Sequence, residues 1–268
     1  MHPFAYERPE GINAAVALLR DDPEAVFLAG GMTLIPTMKQ RLRAPSSVID
    51  LAHIPGLRGV RIEDGALVVG AMTPHAEVAA NPLVQAHLPA LAELAAGIGD
   101  PQVRARGTLG GSIANNDPSA DYPAALLALD AQIVTDRRTV AADDFFRGLF
   151  ETALEPDELV TSVRFAPCAR AAYAKFRNIA SGYAVAGVFV AQAETVRVAV
   201  TGAGPGVFRW TEAEAALAAD FSAGALDSLS MPVDDLNSDI HASAEYRAHL
   251  CKVMLGRAVR RIAEIGRA

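Results

Sequence analysis

The chain has 268 residues and a mass of 28.1 kDa; with 51% hydrophobic and 21% charged residues it is not disordered, and it holds apolar material for one large domain or two modest ones. A formal charge of −7 with no Lys/Arg block excludes a nucleic-acid partner, because neutralising phosphates takes a basic surface. Cys168 and Cys251 are far apart in sequence, so this chain alone supplies no iron–sulfur or zinc-ribbon site, and a reducing compartment is expected.

Met1 to Pro9 has neither a basic nor an apolar leader region, and the longest apolar run, Ala184 to Ala191, falls far short of the roughly 20 residues of a membrane helix. A cytoplasmic chain without a transmembrane segment is expected, with any membrane association made through partners.

In chain order, Asn13 to Arg20 carries Ala15, Leu18 and Leu19 at helical spacing. Ala25 to Leu28 reads as a short strand that runs through Ala29, Gly30, Gly31, Met32 and Thr33 into a helix from Leu34 to about Arg43. Val48 to Leu51 reads as a strand, and Arg58 to Glu63 with Leu67 to Ala71, joined by Asp64 and Gly65, predicts a hairpin. Thr73 and Pro74 predict an N-cap and first helical position, opening a helix that ends near Asn81 and Pro82; a second helix spans Leu88 to Gly97. Gly99 to Pro123 reads as one long polar loop, and so much loop inside a compact domain points to function.

An apolar helix, Ala124 to Leu129, and strands Ile133 to Thr135 and Leu159 to Phe165 follow. From Ala171 the pattern changes to three strands, Tyr173 to Arg177, Tyr183 to Ala191 and Val196 to Val200. Thr211 to Glu214 predicts a capping box, and Tyr246, Leu250, Val253, Met254 and Val259 mark a long terminal helix. A boundary near residue 170 divides a domain of residues 1–170 from one of residues 171–268.

Two glycine-rich segments carry the chemistry. Gly30 and Gly31 stand between a strand and a helix, where backbone N–H groups and the helix dipole attract an anion; taken alone, the pair is better accounted for by a plain tight turn. Gly107 to Asp121 adds a second glycine pair, Gly110 and Gly111, with hydroxyls from Thr108 and Ser112 and the carboxylate of Asp121. Two such loops favour a nucleotide cradle, although Asp117 and Asp121 also suit the cap of the following helix. No Gly-Lys-Ser/Thr follows either loop, and Gly202 to Val207 lacks the dinucleotide fingerprint. Asp235 to Asp239 fails as a calcium loop because Ile240 occupies the glycine position. The six histidines show no metal-ligand spacing and read as surface or hydrogen-bonded residues. Redox activity would therefore fall to a bound organic cofactor.

These loops resemble those of the flavin-binding medium subunits of molybdenum hydroxylases, the family of the carbon monoxide dehydrogenase medium chain and the xanthine dehydrogenase FAD subunit. The resemblance rests on Ala29 to Pro36 and Gly99 to Ser112 with Asp117, Pro118 and Asp121, and on Pro3 to Tyr6 and Ala242 to Arg247, and so covers nearly the whole chain. It implies an α+β protein: a p-cresol methylhydroxylase-type FAD-binding fold of two α/β subdomains, divided near residue 55, followed by a C-terminal domain with a three-stranded sheet and helices. It further implies that Ala29, Gly30, Gly31, Met32, Thr33 and Leu34 bind FAD together with Thr108, Gly110, Gly111 and Ser112. Asp121 is implied at the ribose or adenine side, and Lys175 and Tyr183 near the flavin ring. Met32 stands where the family commonly has His, Gln or Thr, and Gly182 where it often has Asp, which removes one side-chain contact and one carboxylate.

The expected function is that of an FAD-binding electron-transfer subunit. By the resemblance, a large molybdopterin subunit oxidises substrate, a small subunit with two 2Fe-2S clusters passes electrons to the FAD, and the flavin reduces an external acceptor in a dimer of heterotrimers. The alternatives are a self-contained FAD oxidase or reductase on the same fold and a non-catalytic binding subunit.

Overall fold

Three principal sheets follow one another along the chain in this computed structural model, which describes residues 1–265. Residues 266–268, the end of the expected C-terminal domain, lie outside the described residues. The first unit contains β1 (Ala5–Glu7), α1 (Ile12–Asp21), β2 (Val26–Leu28), α2 (Leu34–Lys39) and β3 (Ser47–Asp50). Its strands form a parallel sheet in the order β1-β3-β2, and Ala15 and Val16 of α1 share a core with Ile49, Leu51 and Ile54. Helix α2 stops earlier than expected because Arg41 takes a left-handed conformation, φ 62°, and turns the chain away.

The second unit begins with β4 (Val60–Glu63) and β5 (Ala66–Gly70), a hairpin whose turn residues Asp64 and Gly65 have φ 51° and 76°, the pair of positive values that a type I′ turn requires. Six helices follow: α3 (His75–Ala80), α4 (Pro82–His87), α5 (Pro89–Ala96), α6 (Pro101–Arg106), α7 (Leu109–Asn115) and α8 (Tyr122–Ala128). Then come β6 (Gln132–Thr135), β7 (Thr139–Ala141), α9 (Ala142–Phe145), β8 (Phe146–Gly148), β9 (Glu151–Thr152) and β10 (Val160–Phe165). The large sheet is antiparallel in the order β4-β5-β10-β6-β7, and β8 pairs with β9 alone.

Three expectations change here. Asn81 and Pro82 open a helix as well as close one: the Asn81 side chain accepts from Leu83 N–H at 2.9 Å, with Pro82 in the first turn of α4. The segment expected as one loop holds two helices, α6 capped by Asp100 on Val103 N–H (2.8 Å) and α7 capped by Thr108 on Gly111 N–H (3.1 Å). Thr73 caps nothing; its hydroxyl accepts from Gly59 N–H and donates to Gly59 O, and Pro74 takes the cap position.

The third unit is β11 (Arg170–Arg177), β12 (Ala184–Gln192), β13 (Val196–Thr201), β14 (Phe208–Arg209), α10 (Thr211–Ala219) and α11 (Ala244–Ile265). Its sheet is an antiparallel meander of four strands where three were expected, since the two-residue β14 is too short to show alternation. Strand β12 is apolar and buried from Ala184 to Ala191 because both faces are covered. Val188 and Val190 pack with the cluster under α10 and α11, while Phe189 and Ala191 join the core of the second unit. The capping box at Thr211 does not form. Glu214 instead accepts from Val198 N–H (2.9 Å) and from Arg209, tying α10 to the sheet. No helix among the described residues is long and apolar enough to cross a membrane.

Candidate cofactor site

The two glycine segments meet at a cleft of about 1020 Å³, bounded by the parallel sheet, the antiparallel sheet and the turn between β11 and β12. Sites for small molecules run to roughly 1,000 Å³, so this one is sized for a large ligand. Ala29, Gly30, Gly31, Met32, Thr33, Leu34, Thr108, Gly110, Gly111, Ser112, Asp121 and Tyr183 all line it. Lys175 does not; it lies behind the wall.

Steric space explains the glycines. A Cβ on Gly30 would overlap the Arg106 carbonyl oxygen and lie 2.7 Å from its carbon and 2.8 Å from Gly107 Cα. A Cβ on Gly111 would lie 2.9 Å from Thr108 Oγ1 and 3.2 Å from Ala29 Cβ. Each segment therefore needs a glycine where the other passes, and the two act as one structure. Gly31 adds a left-handed φ of 74° that swings the chain into α2.

Their backbone donors divide the work. In the second segment Leu109 N–H donates to Thr73 O (3.1 Å), Gly110 N–H to Ala71 O (2.8 Å), Gly111 N–H to Thr108 Oγ1 and Ser112 N–H to Thr108 O (3.0 Å). Those bonds fix its shape. Among the described residues, the N–H groups of Met32, Thr33 and Leu34 have no such partner, and they stand at the cleft. Unpaired donors before a helix are the chemistry that receives an anionic group such as a pyrophosphate. The tight inter-segment packing and these free donors together fit a dinucleotide, and the Ser112 hydroxyl adds a further donor at the cleft wall.

Asp121, at the head of α8, is buried with its side chain only 3% exposed. It accepts from Tyr173 Oη at 2.5 Å and from Lys175 Nζ at 2.9 Å on both oxygens, and makes no helix-cap bond. Burial pushes its carboxyl above the usual range, and Lys175 and Tyr173 pull it back. Lys175 Nζ also donates to Gly182 O at 3.0 Å. Tyr183 is 43% exposed, and burial of its hydroxyl end, with Asp117 and Asp121 nearby, raises its phenol above the usual range. Asp117 closes a turn on Ser119 N–H (2.8 Å) and lines the cleft, its carboxyl raised by burial.

His75 corrects the reading of the histidines as surface or hydrogen-bonded. It is 4% exposed, lines the cleft, packs its ring on Tyr122 at 5.3 Å, and has no partner for Nδ1. Its Nε2 would lie 2.6 Å from a Cβ on Gly107, so the ring backs the very backbone that Gly30 crosses. No local pattern in the sequence marks it. Burial, with Arg104 assisting, lowers its pKa from 6.5 to about 4. A folded-state value below the unfolded one contributes stability that is present above pH 6.5 and lost as pH falls through about 4. Urea midpoints should accordingly decline between these pH values, by up to about 3 kcal/mol of stability. His75→Phe should lack that share of the decline, and equal declines in both proteins would contradict the assignment.

Comparison with known proteins covers nearly the whole chain. Residues 2–167 match the FAD binding domain in molybdopterin dehydrogenase, and residues 171–262 the CO dehydrogenase flavoprotein C-terminal domain. The chain is 37% identical to the carbon monoxide dehydrogenase medium chain of Hydrogenophaga pseudoflava, with 96% of each covered. A solved structure of carbon monoxide dehydrogenase from that bacterium has a TM-score of 0.88 over 99% of both chains. The nicotine 6-hydroxylase medium subunit of Paenarthrobacter nicotinovorans is 36% identical over 95% of each chain. Quinoline 2-oxidoreductase from Pseudomonas putida 86 has a TM-score of 0.89 at 29% identity, covering 98% of both chains. Glycine segments that interlock around a dinucleotide-sized cleft, on a chain matched in both halves and nearly end to end, place this protein in the family of FAD-binding medium subunits of molybdenum hydroxylases.

Proposed function

We propose that this chain is the FAD-carrying relay of a molybdenum hydroxylase, receiving electrons from iron–sulfur clusters in a partner subunit and passing them to an external acceptor. The observation that carries the reading is the contact of Gly30 and Gly111 with the opposite glycine segment, beside unpaired N–H donors of the first. Bound FAD supplies a centre that stores two electrons and exchanges them singly or as a pair.

The chain's own residues hold and shield that group. Met32, Thr33 and Leu34 N–H and the Ser112 hydroxyl would donate to the pyrophosphate, and Thr108, Gly110 and Gly111 would shape the bed beneath it. Asp121 keeps acceptor capacity for the ribose or adenine side beyond the bonds from Tyr173 and Lys175. Tyr183 would lie against the flavin ring and limit water there, with Lys175 behind it. Residues 1–170, divided near residue 55, would form the FAD-binding domain, and the following residues the domain that contributes the Tyr183 turn.

Substrate choice would belong to a large molybdopterin subunit. Relatives named for carbon monoxide and for nicotine match this chain at 37% and 36% identity, so the relay is similar where the substrates differ. A small subunit with 2Fe-2S clusters completes the complex, which we read as a cytoplasmic dimer of heterotrimers, with membrane association through partners. Purification of the native complex tests this: flavin, iron and molybdenum are expected to copurify with the chain, and the chain alone to oxidise no organic substrate. Flavin on an unaccompanied chain that turns over substrate would replace the reading with a self-contained oxidase.

A further inference from the structure

Tyr183, Gly182 and Ser181 line the cleft from a single short turn, Asn178–Tyr183, that joins β11 to β12. The turn is closed on itself by Asn178, whose Oδ1 accepts from Ala180 N–H (2.9 Å) and Ser181 N–H (3.2 Å), while Gly182 N–H donates to Asn178 O (2.9 Å). Such a turn is rigid within itself but needs anchors to hold its place against the rest of the cleft.

Two cations supply them, Lys175 and Arg177, both from the C-terminal end of β11. Lys175 bridges the Gly182 carbonyl to buried Asp121. Arg177, an exposed residue that does not line the cleft, donates from Nη2 to the Gly99 carbonyl at 3.1 Å. That carbonyl also accepts from Arg104 Nη1 (3.3 Å), which in turn holds Ile98 O (2.8 Å), so Arg177 reaches a fixed part of the opposite wall. Gly182 sits where these groups converge. It has φ 75°, and a Cβ there would lie 3.0 Å from Arg177 Nη2 and 3.1 Å from Gly99 Cα. Glycine at position 182 thus lets the turn close onto Gly99.

We infer that Arg177 is a positioning residue for Tyr183: together with Lys175 it clamps the Gly182 turn between Gly99 and Asp121, and so sets where the Tyr183 ring stands in the cofactor cleft. The inference rests on the FAD reading, because the ring's position matters to the flavin only if the flavin is there. The clamp itself does not depend on bound cofactor.

The test uses the native complex carrying Arg177→Gln, Arg177→Lys, Tyr183→Ala and the Arg177→Gln/Tyr183→Ala pair. Arg177 is exposed, so Arg177→Gln is expected to fold. Losing one charge-assisted hydrogen bond should speed amide exchange of Ala180 to Tyr183 by roughly fivefold or more. The visible flavin band should shift in the same direction as in Tyr183→Ala, and Arg177→Lys should restore both properties in part. In the Tyr183→Ala background Arg177→Gln should leave the flavin band where it is, since non-additivity marks action through a shared residue. Unchanged exchange in Arg177→Gln would overturn the clamp, and faster exchange with an unmoved flavin band would overturn its positioning role. A band shift as large without Tyr183 as with it would do the same. Absence of flavin from the wild-type complex would instead sink the FAD reading, while the exchange rates would still decide the clamp.

Discussion

Gly30→Ala is expected to strip FAD from the native complex. The added methyl would overlap the Arg106 carbonyl oxygen and press on Gly107 Cα, both backbone, so no side-chain rotation can make room. The first glycine segment must then move away from the second, and the unpaired donors of Met32 to Leu34 move with it. Overpacking of this kind costs about 1–3 kcal/mol in stability. The loss of binding should be larger, because a pyrophosphate held by several backbone donors needs all of them in place at once. Gly11→Ala is the control, since nothing lies within 4 Å of a Cβ at Gly11. Flavin absorbance per mole of complex, read with thermal unfolding, checks both variants. Full flavin content in Gly30→Ala would remove the interlocked segments as the basis of the site.

What the glycines looked like in the sequence and what they do differ in one respect. Gly30-Gly31 between a strand and a helix announces a turn with anion-binding character, and Gly31 meets that expectation with its positive φ. The demand on Gly30 comes from Arg106 and Gly107, far along the chain, and no local pattern records it. Second-segment residues carried hydroxyl and glycine signals, yet their N–H groups are already bonded to Ala71, Thr73 and Thr108. The sequence identifies such residues by type, whereas only the packing separates those that give shape from those left free to donate.

The secondary structure divides along the same line. The Asp64-Gly65 hairpin and the long terminal helix are decided by local turn chemistry and periodicity, and both are present. Asn81-Pro82 and Asp100-Pro101 carry the same cap-plus-proline signature as other helix starts and were open to correct reading as N-termini. Helix α7, Leu-Gly-Gly-Ser-Ile-Ala-Asn, was not: two glycines lower its intrinsic propensity, and it forms because Leu109 and Ile113 are buried and Gly110 packs on Ala71. His75 and the Asp121–Lys175 pair depend on contacts between distant segments, so their residue types were visible and their burial was not.

Lys175→Met should destabilise the chain more than any surface change, by about 3–5 kcal/mol, the usual cost of leaving one partner of a buried ion pair uncompensated. Asp121 and Lys175 have side chains 3% and 10% exposed, and Lys175 also holds Gly182 O. Without the ammonium, Asp121 retains, among the described residues, only the Tyr173 hydroxyl as a donor, and burial drives its carboxyl toward the protonated form. The Asp121→Asn/Lys175→Met pair removes the stranded charge and should recover much of the loss in urea unfolding. The single Lys175→Met protein should regain stability on acidification towards the point where Asp121 protonates, and the double variant should not. A single variant as stable as wild type at pH 7, or one whose deficit is independent of pH, would show that the ammonium is not what keeps Asp121 ionised. Coupling of this size between α8 and β11 explains how residues from both halves of the chain hold one wall of one cleft. The Asp121 carboxylate that lines the cleft is also the anchor for the turn that carries Tyr183.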